Sequence, residues 1–260
     1  MKPTLLTSAA ILALGTMAFS QSYDENRHNK AAPIGSAASV STASVVSAAY
    51  DPVEQMTLNF IFHIDDGMAE QDVFYEKIPG SGKVFRPTAA TRDMDAPLYA
   101  PATPVPHNFL DVTDTGPYPR GRPLGITLGE WFAAKGAGTY TCENGVGTVA
   151  LNFENLVPNG IYTMWHDFMV WPPTDPFIGT YDLPFGARDG SENTFKAAQD
   201  GSARFVRTVS PCLQLTGEHL AADLAIAWHS DGQTYGPLTG TFSTVTHVQM
   251  YVGLPKRSGL

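Results

Sequence analysis

His166, His229 and His247 are the residues of this chain whose type and spacing could do chemistry. His166 lies in Met164-Trp165-His166-Asp167-Phe168, inside a run that reads as a strand, where alternation puts Met164 and His166 on the same side. A thioether and an imidazole on one face could meet His229 from a neighbouring strand, with His247 nearby on the last strand. That mixture of soft sulfur and nitrogen suits copper better than magnesium or calcium. The imidazoles would then be neutral ligands, the thioether would favour the reduced ion, and Asp167 or Asp231 would orient a ring from behind. The competing account is plain structure: a strand histidine is usually solvated or hydrogen-bonded, and Met164 can simply be core.

Other motifs carry less. Gly-x-Ser-x-Gly is absent and no Ser, His and Asp arrangement is marked by the sequence, so acyl-transfer catalysis has no support at this level. Ile78-Pro79-Gly80-Ser81-Gly82-Lys83 has the wrong glycine spacing for a phosphate loop, and Val84 stands where a hydroxyl would hold magnesium. Asp189-Gly190-Ser191-Glu192-Asn193 offers alternating oxygens but lacks the later glycine and terminal glutamate of a calcium loop. Trp131, Trp165, Trp171 and Trp228, with several Tyr, could make a sugar-stacking platform or could be packing. Carboxylate pairs for glycoside cleavage depend on a separation that sequence does not give.

Positioning these residues falls to strands. Met56 to Asp65 alternates apolar and polar side chains, and further strand candidates run over Gly138 to Cys142, Gly147 to Phe153, Ile161 to Val170, Ala203 to Val209, Asp223 to His229 and Val245 to Val252. Turn residues separate them, among them Pro158-Asn159-Gly160, Asp200-Gly201 and Asp231-Gly232. One short helix is predicted at Thr127 to Lys135, where Thr127 and Glu130 have capping-box spacing. Between Asp66 and Arg122 repeated prolines exclude regular helix and disfavour central strands, which predicts long surface loops. The fold class is therefore all-β: an antiparallel β-sandwich of immunoglobulin-like or superoxide-dismutase-like Greek-key form, with one short helix and Pro-rich loops.

Met164-Trp165-His166-Asp167-Phe168 resembles the copper-binding strand of copper/zinc superoxide dismutases, which reads His-x-His followed by an acidic residue and Phe. Lys196-Ala197-Ala198-Gln199-Asp200-Gly201, Leu215-Thr216-Gly217-Glu218-His219 and the strand ending at His229 are similar in order and spacing to the second half of that sandwich, over residues 145–253 or so. The resemblance implies that His166 and His229 stand at copper-ligand positions and that Met164 replaces the first histidine. His247 falls near the strand where the family places a substrate-guiding arginine. No histidine lies between Asp167 and Ala203, so the bridging ligand and the zinc cluster have no counterparts, and the cysteines do not match the family's bridge. The resemblance thus implies a copper-binding remnant or a metal-free sandwich with a degenerate site rather than a dismutase.

Residues 1–20 read as a signal peptide, with Lys2, the apolar run Leu5 to Phe19, and Ala18-Phe19-Ser20 before a cleavage at Gln21. The run is short for a membrane span, so no transmembrane anchor is expected after cleavage, the alternative being an uncleaved anchor. Loss of Lys2 moves the formal charge from -9 to about -10, and an acidic chain with no basic stretch argues against nucleic-acid binding. Two cysteines, Cys142 and Cys212, in an exported chain are most simply one disulfide, the alternative being two buried thiols. Residues 21–55 are Ala/Ser-rich and read as a flexible segment, with 56–254 forming a single sandwich domain. The expectation is an exported, periplasmic or secreted, non-catalytic binding or structural protein, with copper as a candidate cofactor. The alternatives are a copper-dependent redox enzyme, a polysaccharide-active protein for which carbohydrate is the partner, and a self-assembling extracellular subunit that docks through residues 21–55.

Overall fold

The computed structural model describes residues 53–68, 71–106, 108, 110–111 and 113–256. The signal peptide expected at 1–20 and nearly all of the segment expected at 21–55 lie outside the described residues. In chain order the strands are β1 (Val53–Asn59), β2 (Phe74–Tyr75), β3 (Lys83–Val84), β4 (Pro97–Pro101), β5 (Tyr118–Thr127), β6 (Lys135–Glu143), β7 (Val146–Glu154), β8 (Ile161–Val170), β9 (Tyr181–Pro184), β10 (Thr194–Lys196), β11 (Ala203–Val209), β12 (Leu220–His229) and β13 (Thr246–Gly253), with one helix, α1 (Leu128–Phe132), between β5 and β6. Among the described residues, no helix is long and apolar enough to cross a membrane.

Two antiparallel sheets make the sandwich. The first has the order β1-β6-β7-β11; the second has the order β10-β8-β12-β13, with β9 also on β8. Alternation dictates what each strand buries: in β7, Gly147, Val149, Leu151 and Phe153 point inward while the residues between them are half-buried or exposed. Strands β8 and β12 are covered on both faces. Their inner face gives Tyr162, Met164, Phe168, Leu224, Ile226 and Trp228 to the main core, and their outer face gives Trp165, Ala225 and Ala227 to a second cluster closed by Ile61, Met68 and Phe242. At the centre, Phe195 stacks on Phe153 at 5.3 Å and on Tyr162 at 5.5 Å, joining the two sheets.

The strand expected over Met56 to Asp65 divides in two. β1 ends at Asn59, and Phe60 donates to Gly136 at 2.8 Å beside β6. The next residue, Ile61, exchanges backbone hydrogen bonds with Tyr251 of β13, so the chain changes sheet there and then enters a short 3-10 turn over His63–Asp66. The Pro-rich stretch also differs from the loops expected of it. It forms a small sheet of order β2-β4-β5-β3 that buries Val73, Phe74, Leu98, Ala100 and Leu124. Pro97, Pro101 and Pro123 sit in a β4–β5 pairing whose register is broken on either side of Tyr99, and Pro119 lies opposite Lys83 of β3 in a two-residue pairing, so none of them interrupts a long regular ladder.

Helix α1 is shorter than predicted because Lys135 already belongs to β6, but its start is as read: Thr127 Oγ1 accepts from the Glu130 N–H at 3.2 Å, and Glu130 Oε2 accepts from the Thr127 N–H at 2.7 Å. The helix buries Trp131 completely. Cys142, near the end of β6, is bonded to Cys212 with the Cα atoms 5.8 Å apart, and the neighbouring Leu213 N–H donates to the Tyr140 hydroxyl at 2.8 Å.

Candidate functional site

The register of β8 against β12 decides the histidine question. His166 pairs with Leu224 and Met164 with Ile226, which places Met164 and His166 toward the inner core. His229 lies five residues beyond Leu224, an odd number, so it points to the outer face. The expected copper set of Met164, His166, His229 and His247 is therefore not assembled, and among the described residues no three His, Cys, Asp or Glu side chains could hold a metal. Asp167, one of the two carboxylates expected to orient a ring, faces outward, away from the His166 ring. His166 Nε2 donates to the Gln214 carbonyl at 3.0 Å, and burial pulls its pKa down to about 4 against the opposing pull of that hydrogen bond. His229 Nε2 meets Thr163 Oγ1 at 2.8 Å, and its pKa is likewise lowered to about 4, mainly by burial.

What the structure does gather is a polar cluster around the end of β12 and the start of β13. The fully buried His247 pairs with Trp228 across the ladder, and its Nδ1 lies 2.7 Å from the backbone carbonyl of Asp72. Its Nε2 lies 2.8 Å from Ser230 Oγ. Burial lowers the His247 pKa against the opposing charge of Asp72, so the ring is neutral. The Asp72 carboxylate accepts from the Ser243 hydroxyl and from the Val248 N–H at 3.2 Å, and pairs with the buried Arg86 at 3.5 Å. Arg122, exposed on β5, donates to Ser230 Oγ and also reaches the carbonyls of Ser230 at 3.3 Å and Thr244 at 3.1 Å. Asp231 is engaged by the Tyr235 hydroxyl, and the Tyr235 pKa rises to about 12, through burial first and this carboxylate second.

Sequence reading missed Ser230, Asp72 and Arg122 as a group. Ser230 follows His229 directly, but its partners come from far away: Arg122 is 108 residues distant, and the carbonyl that holds His247 is 175 residues from it. A backbone carbonyl in particular leaves no residue-type signal.

A second feature lies at the same end of the sheets, since Lys196 and His229 both pair with Ile161 from opposite sides. It is an open groove of about 760 Å³ lined by Asn152, Glu154, Asn159, Lys196, Ser202 and Arg204. The tryptophan platform does not form: Trp131, Trp165 and Trp228 are buried, and Trp171 alone is exposed. The Gly80–Gly82 turn holds its own anion, because the Glu76 carboxylate accepts from the Gly80 and Gly82 N–H groups at 2.9 and 2.7 Å. Asp189 accepts from the Ser191 N–H at 3.0 Å, a local turn. Comparison of the chain with protein-family models, curated proteins and solved structures finds no match.

Proposed function

We propose that this chain is an exported binding protein on a disulfide-stapled sandwich, and that it takes a polyhydroxylated, anion-bearing ligand such as an acidic glycan in the groove along β7, β10 and β11. The observation that carries this reading is the composition of the groove. In a chain of formal net charge -9, Lys196 and Arg204 outnumber the one carboxylate there, Glu154, while Asn152, Asn159 and Ser202 supply donors and acceptors suited to hydroxyl groups. Export is supported by the Cys142–Cys212 bridge, a bond that persists in oxidising compartments.

A glycan array that includes uronic-acid and sulfated polymers tests the ligand. The wild-type protein is expected to select the acidic members, and Lys196→Ala/Arg204→Ala to lose at least about tenfold in affinity, since each charge-assisted hydrogen bond is worth about 1.5–3 kcal/mol. An unchanged binding profile in the double variant, or no glycan bound by the wild type, overturns the reading.

A further inference from the structure

The geometry points to Ser230 as a nucleophile served by His247 as general base, giving this chain an ester-cleaving acyl-transfer activity beyond ligand binding. The proton positions follow from the partners. A carbonyl oxygen only accepts, so the 2.7 Å contact from His247 Nδ1 to the Asp72 carbonyl requires the proton on Nδ1. Nε2 then carries the lone pair and faces Ser230 Oγ at 2.8 Å, so the serine hydroxyl, which also has the Val245 carbonyl within reach at 3.2 Å, is placed to donate to it at the shorter distance. This is the orientation a nucleophile and its base need, with a third group fixing the tautomer of the imidazole. Here the third group is a peptide carbonyl, and it is held rigidly because the side chain of the same residue is tied to Ser243, Val248 and Arg86.

Access and charge fit the role. His247 is buried away from bulk water, Ser230 is partly exposed at the surface end of β12, and the exposed Arg122 donates to the serine oxygen. A guanidinium at that oxygen stabilises the negative charge that develops as the hydroxyl proton leaves. In the reaction, Ser230 Oγ bonds to the acyl carbon of an ester while its proton passes to His247 Nε2. The bond from the acyl carbon to the alcohol oxygen breaks, and that oxygen takes the proton. Water then attacks the acyl-serine and gives a proton to Nε2, the serine oxygen leaves and recovers that proton, and a carboxylic acid and an alcohol are the products.

The test uses no sugar, so it stands or falls apart from the groove. The purified full chain is treated with a fluorophosphonate and mapped by mass spectrometry, and hydrolysis of p-nitrophenyl acetate is followed in parallel. The expected result is one phosphonyl group on Ser230, none at that position in Ser230→Ala, and labelling slowed about 100-fold or more in His247→Gln. Because His247 is buried and its loss can disturb folding, Arg122→Gln on the exposed surface serves as the second variant. It is expected to keep the wild-type near-UV circular dichroism while labelling about tenfold more slowly. Absence of label on Ser230 in the folded wild type, or the same ester turnover in Ser230→Ala, overturns the proposal.

Discussion

Asp223 pairs directly with Asp167, and Asp167 with Asp182, so three carboxylates stand in a row across β12, β8 and β9 on the outer face. Burial, reinforced by Asp66, raises the Asp223 pKa to about 7, and burial together with Asp182 and Asp223 raises that of Asp167 well above the carboxylate range. A carboxyl whose pKa is higher in the folded than in the unfolded chain stabilises the fold fully below about pH 4, and that contribution is lost as pH rises through about 7. Asp223→Asn is therefore expected to raise stability at pH 8 by roughly 2–4 kcal/mol and to flatten the decline from pH 5 to 8, measured by urea denaturation across pH. Loss of stability at pH 8 in this variant would contradict the argument. Single residues were legible only within their own strand. Alternation puts Met164 and His166 on one side, but whether His229 joins them depends on the β8–β12 register, and a shift by one residue changes the face without changing any local pattern.

At the scale of elements, strong period-two segments were read to the residue: Ile161–Val170 and Ala203–Val209 are β8 and β11 as expected. β12 begins at Leu220, earlier than the alternation indicated, because Ala221 and Ala222 carry little hydrophobic contrast. The proline-rich stretch was misread because the rules against proline in strands apply to regular ladders, and the β4–β5 pairing is bulged. Helix α1 was legible from its cap, since Thr127 and Glu130 satisfy each other's backbone N–H groups. Thr127→Ala leaves the Glu130 N–H without that acceptor and is expected to cost about 1 kcal/mol in denaturant midpoint analysis. An unchanged midpoint would mean that the packing of Trp131, not the cap, holds this turn.

For the molecule as a whole, the Cys142–Cys212 bond closes a span of 70 residues that includes β7, β8, β9, β10 and β11. Chain-entropy reasoning assigns such a loop about 4 kcal/mol, so reduction, or Cys142→Ser/Cys212→Ser, is expected to lower unfolding stability by about 2–4 kcal/mol in urea titrations with and without dithiothreitol. A loss below about 1 kcal/mol would place the stabilising weight elsewhere in the sandwich. The overall architecture was legible because it rests on turn spacing and alternation, whereas both surface features arise where β12, β13 and the β10 end converge, a proximity that pairing alone creates.

Gln214 is two residues from the bridged Cys212, and its carbonyl holds the His166 ring. When the bridge is cut and that segment loosens, water gains access to an imidazole that burial had kept at about pH 4, and its titration moves back toward about 6.5. The proton resonances of one ring, followed between pH 4 and 7, thus become an internal gauge of whether the cysteines are joined, readable without a thiol reagent.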